Sequence, residues 1–279
     1  MTTPPFDRIV HPTDLSQDGT PAFDHALRLA VAARSHFYLV HAAHLTHGDD
    51  GDFDAFPGVR STLRRWGMLP QDAPPEAVHG QVGVRVTKAE VPDRDPIDRM
   101  VHFIDENRGQ FLVLATHARQ NADYWLRGSV AEKLARRAGL PTLFLPHGVP
   151  GFVTPDTGAV SLENILLPVD RATPPGAAAK LALALADTLG CPDAILHLLH
   201  VGDSDAVPVV PIDENRVRRI LVEGDVVDAI AQQAEAISAD LVVMPTHGRD
   251  ALADHLFGST TEQALHRIRR PLLAIPAAD

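Results

Sequence analysis

Cysteine occurs once in 279 residues, as Cys191. An intrachain disulfide framework is thereby excluded, and the composition fits a reducing compartment. Nothing beside Cys191 in sequence marks an activated thiol, so it is expected to be a small, partly buried apolar residue. Long hydrophobic runs are missing too: LALALA at 181–186 falls far short of the roughly 18 apolar residues of a membrane span. The opening MTTPPFDRIV has neither the basic nor the apolar segment of a secretory signal. A cytoplasmic protein without a membrane partner is the resulting expectation. Positive charge is in the minority, with 25 Lys and Arg against 36 Asp and Glu and a formal net charge of −11. That balance speaks against a phosphate-backbone partner, so no nucleic acid is expected. The arginine pairs at 64–65, 136–137, 218–219 and 269–270 are read as solvated helix faces and ends. Catalytic signatures are scarce as well: there is no G-x-S-x-G elbow, no G-x4-G-K-S/T loop and no G-x-G-x-x-G after the first apolar run.

What is present is a repeat. Thr116-His117 matches Thr246-His247, Gly128-Ser129 matches Gly258-Ser259, and Pro141 and Pro146 match Pro271 and Pro276, each pair 130 residues apart. Asp95 and Asp98 match Asp225 and Asp228 at the same offset, whereas Asp14 and Asp170 are 156 apart. Copy one is therefore 26 residues longer between its first aspartate and Asp95. Two units of domain size indicate a duplication rather than a solenoid. The expected division is domain one over 1–147, a linker rich in Pro, Gly and Thr over 148–161, and domain two over 162–279.

Within each copy short apolar runs alternate with helical patterns. RIV, FYLV, VRV, FLVLA and TLFL read as strands in copy one, and NILLPV, AILHLL, VRRILV, DLVVM and LLAI in copy two. Helices are expected over 20–34, 95–107, 174–189 and 225–238, with an extra one over 61–69 in copy one. Strands alternating with helices of this length imply βαβ units, hence an α/β fold with an open parallel sheet in each copy. Ligands of such sheets bind beyond the carboxyl ends of the strands, at the topological switch point. Asp14 and Asp170 end the first strands there, and the stretches reaching Gly128-Ser129 and Gly258-Ser259 follow the fourth. Gly248 and Gly258 would let backbone N–H groups turn inward, and the helix opened by Ser259 offers an N-terminus to phosphate. Ser259-Thr-Thr-Glu262 and Ser129-Val-Ala-Glu132 equally fit a capping box. Both readings stand at this level.

These features together resemble a tandem universal stress protein, each copy being similar to one domain of that family. The resemblance rests on Pro-x-Asp ending the first strand and on the spacing of the family's G-x2-G-x9-G-S/T phosphate loop. Copy two keeps it as Pro245, Gly248, Gly258 and Ser259, copy one as Ala115, Ala118, Gly128 and Ser129. It implies two Rossmann-like domains packed as an intramolecular pseudo-dimer through TLFLP and LLAIP, with further homodimerisation left open. It also implies ATP or AMP as ligand, with Mg2+ as an optional companion. By resemblance, Pro168, Val169 and Asp170 would contact base and ribose, with Val201 beside the base. Met244, Pro245, His247 and Gly248 would form the loop wall, and Gly258, Ser259 and Thr260 the phosphate cradle. Copy one would offer Pro12, Thr13, Asp14, Ala42, Ala115, His117, Ala118, Gly128, Ser129 and Val130. Pro245 lacks an N–H, and Ala115 and Ala118 carry a Cβ where the family has glycine. Copy two is therefore expected to bind more tightly.

Metal and catalytic readings are weaker. His41-x-x-His44-x-x-His47 precedes Asp49, Asp50 and Asp52, but a spacing of three along a strand alternates faces. GDDGDFDAF at 48–56 lacks the glutamate that closes an EF-hand loop, so it reads as a solvated acidic loop and no metal site is assigned. Asp250 and Asp254 read as solvated acids as readily as Mg2+ ligands. No catalytic residue is assigned, and at most slow ATP hydrolysis is expected. The function expected is an adenine-nucleotide holder or sensor in a stress response; the alternative is an interaction or assembly module with degenerate pockets.

Overall fold

The computed structural model describes residues 5–43, 56–92, 94–116, 130–149, 151–170, 174–202, 210, 212–246 and 258–276. The chain divides into two compact units, Met1–Ala159 and Val160–Asp279. Unit 1 runs β1 (Arg8–Pro12), α1 (Thr20–Ala33), β2 (His36–Ala43), α2 (Val59–Arg65), α3 (Ala77–Val82), β3 (Arg85–Pro92), α4 (Pro96–Glu106), β4 (Phe111–Thr116), α5 (Val130–Ala138) and β5 (Thr142–Pro146). All its strand pairs are parallel, in the order β3-β2-β1-β4-β5. Helices that return the chain between parallel strands bury the sheet's centre from both sides, so successive strand residues are apolar without alternation. Ile9, Val10, Phe37, Leu39, Phe111, Leu112 and Phe144 accordingly lie wholly inside. Pro21 sits in the first turn of α1, and the helix ends at Arg34 in the left-handed region, φ 54°.

The longer middle of copy one holds two helices rather than the single one expected over 61–69. α2 buries Leu63 and is followed by the buried Trp66. α3, the six residues AVHGQV, has no apolar period of its own. A helix so short is marginal in isolation and depends on packing to form.

The stretch read as a linker folds back onto unit 1. His25 fixes it: the Nδ1–H donates to the Pro21 carbonyl at 2.6 Å, leaving Nε2 to accept from the N–H groups of Phe152 and Val153 at 3.0 and 3.2 Å. Trp66 Nε1 donates to the Pro155 carbonyl at 2.8 Å, and Arg28 Nε to the Gly158 carbonyl at 2.9 Å. Gly158 has φ 66°, and a Cβ there would lie 2.6 Å from Trp66 Cδ2. Only glycine allows both that conformation and that approach. Val149, Phe152 and Val153 are buried. Pro, Gly and Thr exclude regular elements from this stretch without excluding packing.

Unit 2 runs β6 (Asn164–Pro168), α6 (Gly176–Thr188), β7 (Ile195–Val201), β8 (Val217–Val222), α7 (Val226–Ala236), β9 (Leu241–Thr246), α8 (Gly258–Arg267) and β10 (Leu272–Pro276). Its strands are again parallel, in the order β8-β7-β6-β9-β10, which repeats unit 1. Leu166, Leu167, Leu198, Val242 and Leu273 form the buried centre. Among the described residues no helix is long and apolar enough to cross a membrane.

Candidate functional site

Both units open at the same place, because the first and fourth strands part early. In unit 1 β1 pairs with β4 only at Ile9–Phe111 and Val10–Leu112, while its pairing with β2 continues to Pro12–Val40. In unit 2 β6 pairs with β9 only at Ile165–Leu241 and Leu166–Val242, and with β7 as far as Pro168–Leu199. Beyond these points the carboxyl ends of the first and fourth strands have no ladder between them. This is the switch point of the strand order, where an open α/β sheet receives ligand.

The turn that leaves the first strand is pinned alike in both units. Thr13 N donates to the Val40 carbonyl at 2.8 Å, and His41 Nδ1 donates to the Thr13 carbonyl at 2.8 Å. Val169 N donates to the Leu199 carbonyl at 2.8 Å, and His200 Nδ1 to the Val169 carbonyl at 3.1 Å. A carbonyl can only accept, so each bond sets the histidine tautomer with the proton on Nδ1. His41 thus orients the turn beside Asp14 and is not free to ligate a metal through Nδ1. His44 and His47 lie outside the described residues.

The two aspartates that follow sit at the surface. Asp14 Oδ1 accepts from Ser16 N at 3.0 Å and from Ser16 Oγ at 2.7 Å. Thr13 Oγ1 accepts from Leu15 N at 3.0 Å, and Leu15 takes φ 61°. The unit 1 carboxylate is therefore engaged by its own turn. In unit 2 the position equivalent to Ser16 is Ala172, so this serine-based turn is not repeated in sequence.

Pro12, Pro168, Ala42 and Val201 are half-buried at the strand ends, Thr13 and Val169 buried beneath them. On the fourth strands, Met244 is buried and Ala115 and Pro245 half-buried. Pro245 is tolerated because β6 has stopped pairing three residues earlier, while β10 continues alongside with Ile275 opposite it. α8 begins at Gly258 and carries Thr260 half-buried in its first turn; α5 begins at the exposed Val130. His117, Ala118, Gly128, Ser129, His247 and Gly248 lie outside the described residues, so the loop walls and the copy-one phosphate loop are not part of this geometry.

One residue at the site escaped the sequence reading. His11, buried on β1, donates from Nδ1 to the Val113 carbonyl at 2.9 Å, bridging β1 to β4 just past their last ladder pair. Its Nε2 is buried without a partner, and burial pulls its pKa down to about 4. The imidazole is neutral at pH 7 and plugs the base of the gap. Unit 2 has Leu167 at the equivalent strand position. The only signal in sequence was a histidine inside an otherwise apolar strand.

Comparison with known proteins places this geometry. The profile of the universal stress protein family matches residues 5–146 and 210–276, more than half of the chain. Universal stress proteins of Mycobacterium bovis and Mycobacterium tuberculosis are each 27% identical over 212 residues, spanning 67% of this chain and 68% of theirs. A universal stress protein structure from Archaeoglobus fulgidus covers 98% of this chain and 99% of its own at a TM-score of 0.63 and 18% identity. A putative universal stress protein from Pseudomonas aeruginosa covers 97% and 93% at 0.62 and 16%. At these identities the structures speak for the fold, which is the α/β type with mostly parallel open sheets. The stretch 147–209, outside the family match, includes β6 and β7, yet these strands repeat the strand-end bonding of β1 and β2. By profile, relatives and fold, the chain belongs to the universal stress protein family.

Proposed function

We propose that the chain is a nucleotide-binding stress-response module that holds or senses ATP or AMP, and that unit 2 is its main site. The observation that carries this reading is the twice-built strand-end turn, in which a strand-two histidine pins the carbonyl of the residue before the aspartate. Such pinning pre-orients a carboxylate at the switch point, where a ribose or base edge would meet it. Asp170, Val169, Pro168 and Val201 would flank base and ribose, Met244 and Pro245 the adjoining wall. The N-terminus of α8, from Gly258 through Ser259 and Thr260, would face the phosphates with free N–H groups. His247 and Gly248 complete that proposed loop. In unit 1 Pro12, Thr13, Asp14, Ala42 and Ala115 occupy the matching places, with His117, Ala118, Gly128, Ser129 and Val130 as the matching loop. Gly248 in unit 2, where unit 1 has Ala118, favours unit 2 over unit 1.

A second reading, an interaction module with degenerate pockets, is favoured by Pro245, which offers no N–H, and by Ala115 in unit 1. Mass analysis of small molecules released from freshly purified, denatured protein separates the two. AMP or ATP in near-stoichiometric amount is expected; its absence, with no calorimetric binding of added ATP, rejects the nucleotide reading. Gly258→Val should remove nearly all nucleotide binding and Gly128→Val only the weaker part. Unchanged affinity in the Gly258 variant would sink the assignment to unit 2.

A further inference from the structure

Unit 1 contains a cavity of about 590 Å³ lined by residues of α2, α3 and β3. Its volume lies in the range of small-molecule sites, roughly 300–1,000 Å³. Arg60 and Arg64 reach it from α2, Arg85 and Lys88 from β3, and Val84 and Val86 supply apolar surface. Four permanent cations thus gather where, among the described residues, no carboxylate lines the wall, in a chain whose net charge is −11. Among the described residues neither Arg60 nor Arg85 makes an ion pair. Arg64 donates from Nη2 to the Ala73 carbonyl at 2.7 Å, but its Nε is buried with no acceptor.

Position separates this cavity from the strand-end site. Arg85 pairs with His36 at the amino end of β2, whereas Ala42 pairs with Val91 at the carboxyl end. The helices that build the cavity also belong to the stretch by which copy one exceeds copy two. We propose that this cavity is a second ligand site, private to unit 1, for a small organic phosphate. Guanidinium groups match phosphate oxygens as bidentate forks, and the valines would take the apolar body of the same molecule. A ligand of bare phosphate would leave that apolar surface unused.

Calorimetry on the full chain at low ionic strength, with phenyl phosphate and inorganic phosphate as probes, tests the proposal. Phenyl phosphate should bind one site per chain, about tenfold or more tightly than inorganic phosphate, since burying a ring contributes at least that factor. The Arg60→Gln/Arg85→Gln double variant should weaken phenyl phosphate by tenfold or more while its unfolding midpoint stays put. Gly258→Val should leave phenyl phosphate binding intact, so this site and the nucleotide reading can fail separately. No binding at millimolar probe, equal affinity for the two probes, or an unaffected double variant would each overturn it.

Discussion

The imidazole of His25 is neutral in the folded chain because burial drives its pKa from 6.5 down to about 4. His11 behaves likewise, also falling to about 4. Between these values the unfolded chain takes up a proton at each histidine that the folded chain does not. Their stabilising effect is therefore complete above about pH 6.5 and is lost as pH falls toward 4. Asp24 acts in the opposite sense. Burial raises its carboxyl from 3.8 to about 6, outweighing the Arg65 guanidinium 3.5 Å away. Its preference for the protonated folded state is present in acid and lost as pH rises through about 6. Urea midpoints should consequently fall between pH 6.5 and 4, and Asp24→Asn should raise stability at pH 7. His25→Ala would orphan the buried N–H groups of Phe152 and Val153 and should cost about 2–4 kcal/mol while flattening the acid limb. A midpoint independent of pH over that window, in wild type and variant alike, would contradict this account.

Helix entry separates two elements that align in sequence. Asp225 caps α7, its Oδ1 accepting from the N–H groups of Val227 and Asp228 at 3.0 Å each. Asp95, its counterpart 130 residues earlier, precedes Pro96 at φ 58° and makes no capping bond. Asp225→Ala should therefore destabilise by about 1 kcal/mol, the usual worth of such a cap. Asp95→Gly should be neutral or slightly stabilising, since glycine adopts positive φ without a Cβ penalty. Thermal unfolding of the two single variants checks the contrast, and an equal loss in both would refute it. The identity of the paired aspartates was legible in the repeat. Their different backbone conformations were not, because φ before a helix depends on how the incoming strand is held.

For the whole molecule, the final strands β5 and β10 are short, apolar and proline-ended, and an uncovered apolar edge is an association liability. The proposal carried from the sequence is that the two copies pair along these strands within one chain. Spin labels on cysteines introduced at the ends of the two strands, in a Cys191→Ser background, should report a short distance. A separation placing the strands on opposite outer ends would refute it. Bound ATP should also be turned over very slowly. Fast phosphoryl transfer needs cationic stabilisation of the γ-phosphate and an oriented water. Between Pro245 and Glu262 Arg249 is the sole permanent cation. Backbone N–H groups at a helix N-terminus hold ground-state phosphate about as well as the transition state, which does not speed reaction. A steady-state assay showing turnover near ~1 s⁻¹ or faster, lost in Ser259→Ala, would reveal an enzyme instead of a holder.

Local pattern was enough for the α/β class, the parallel strands and the duplication. Apolar runs bounded by helical periods are written in neighbouring residues, and a 130-residue offset needs no coordinates. The Pro-x-Asp turn was legible for the same reason. Contacts between residues distant in sequence were not. His41 bonds to a carbonyl 28 residues away and His200 to one 31 residues away, so as sequence they were only strand-end histidines. His11 became a bridge across parting strands, and α3 a helix, when packing supplied what their own periodicity lacked. The stretch after β5 looked like a linker because Pro and Gly refuse regular hydrogen-bond ladders. It packs onto unit 1 because His25, Trp66 and Arg28, all more than 85 residues upstream, satisfy its backbone instead.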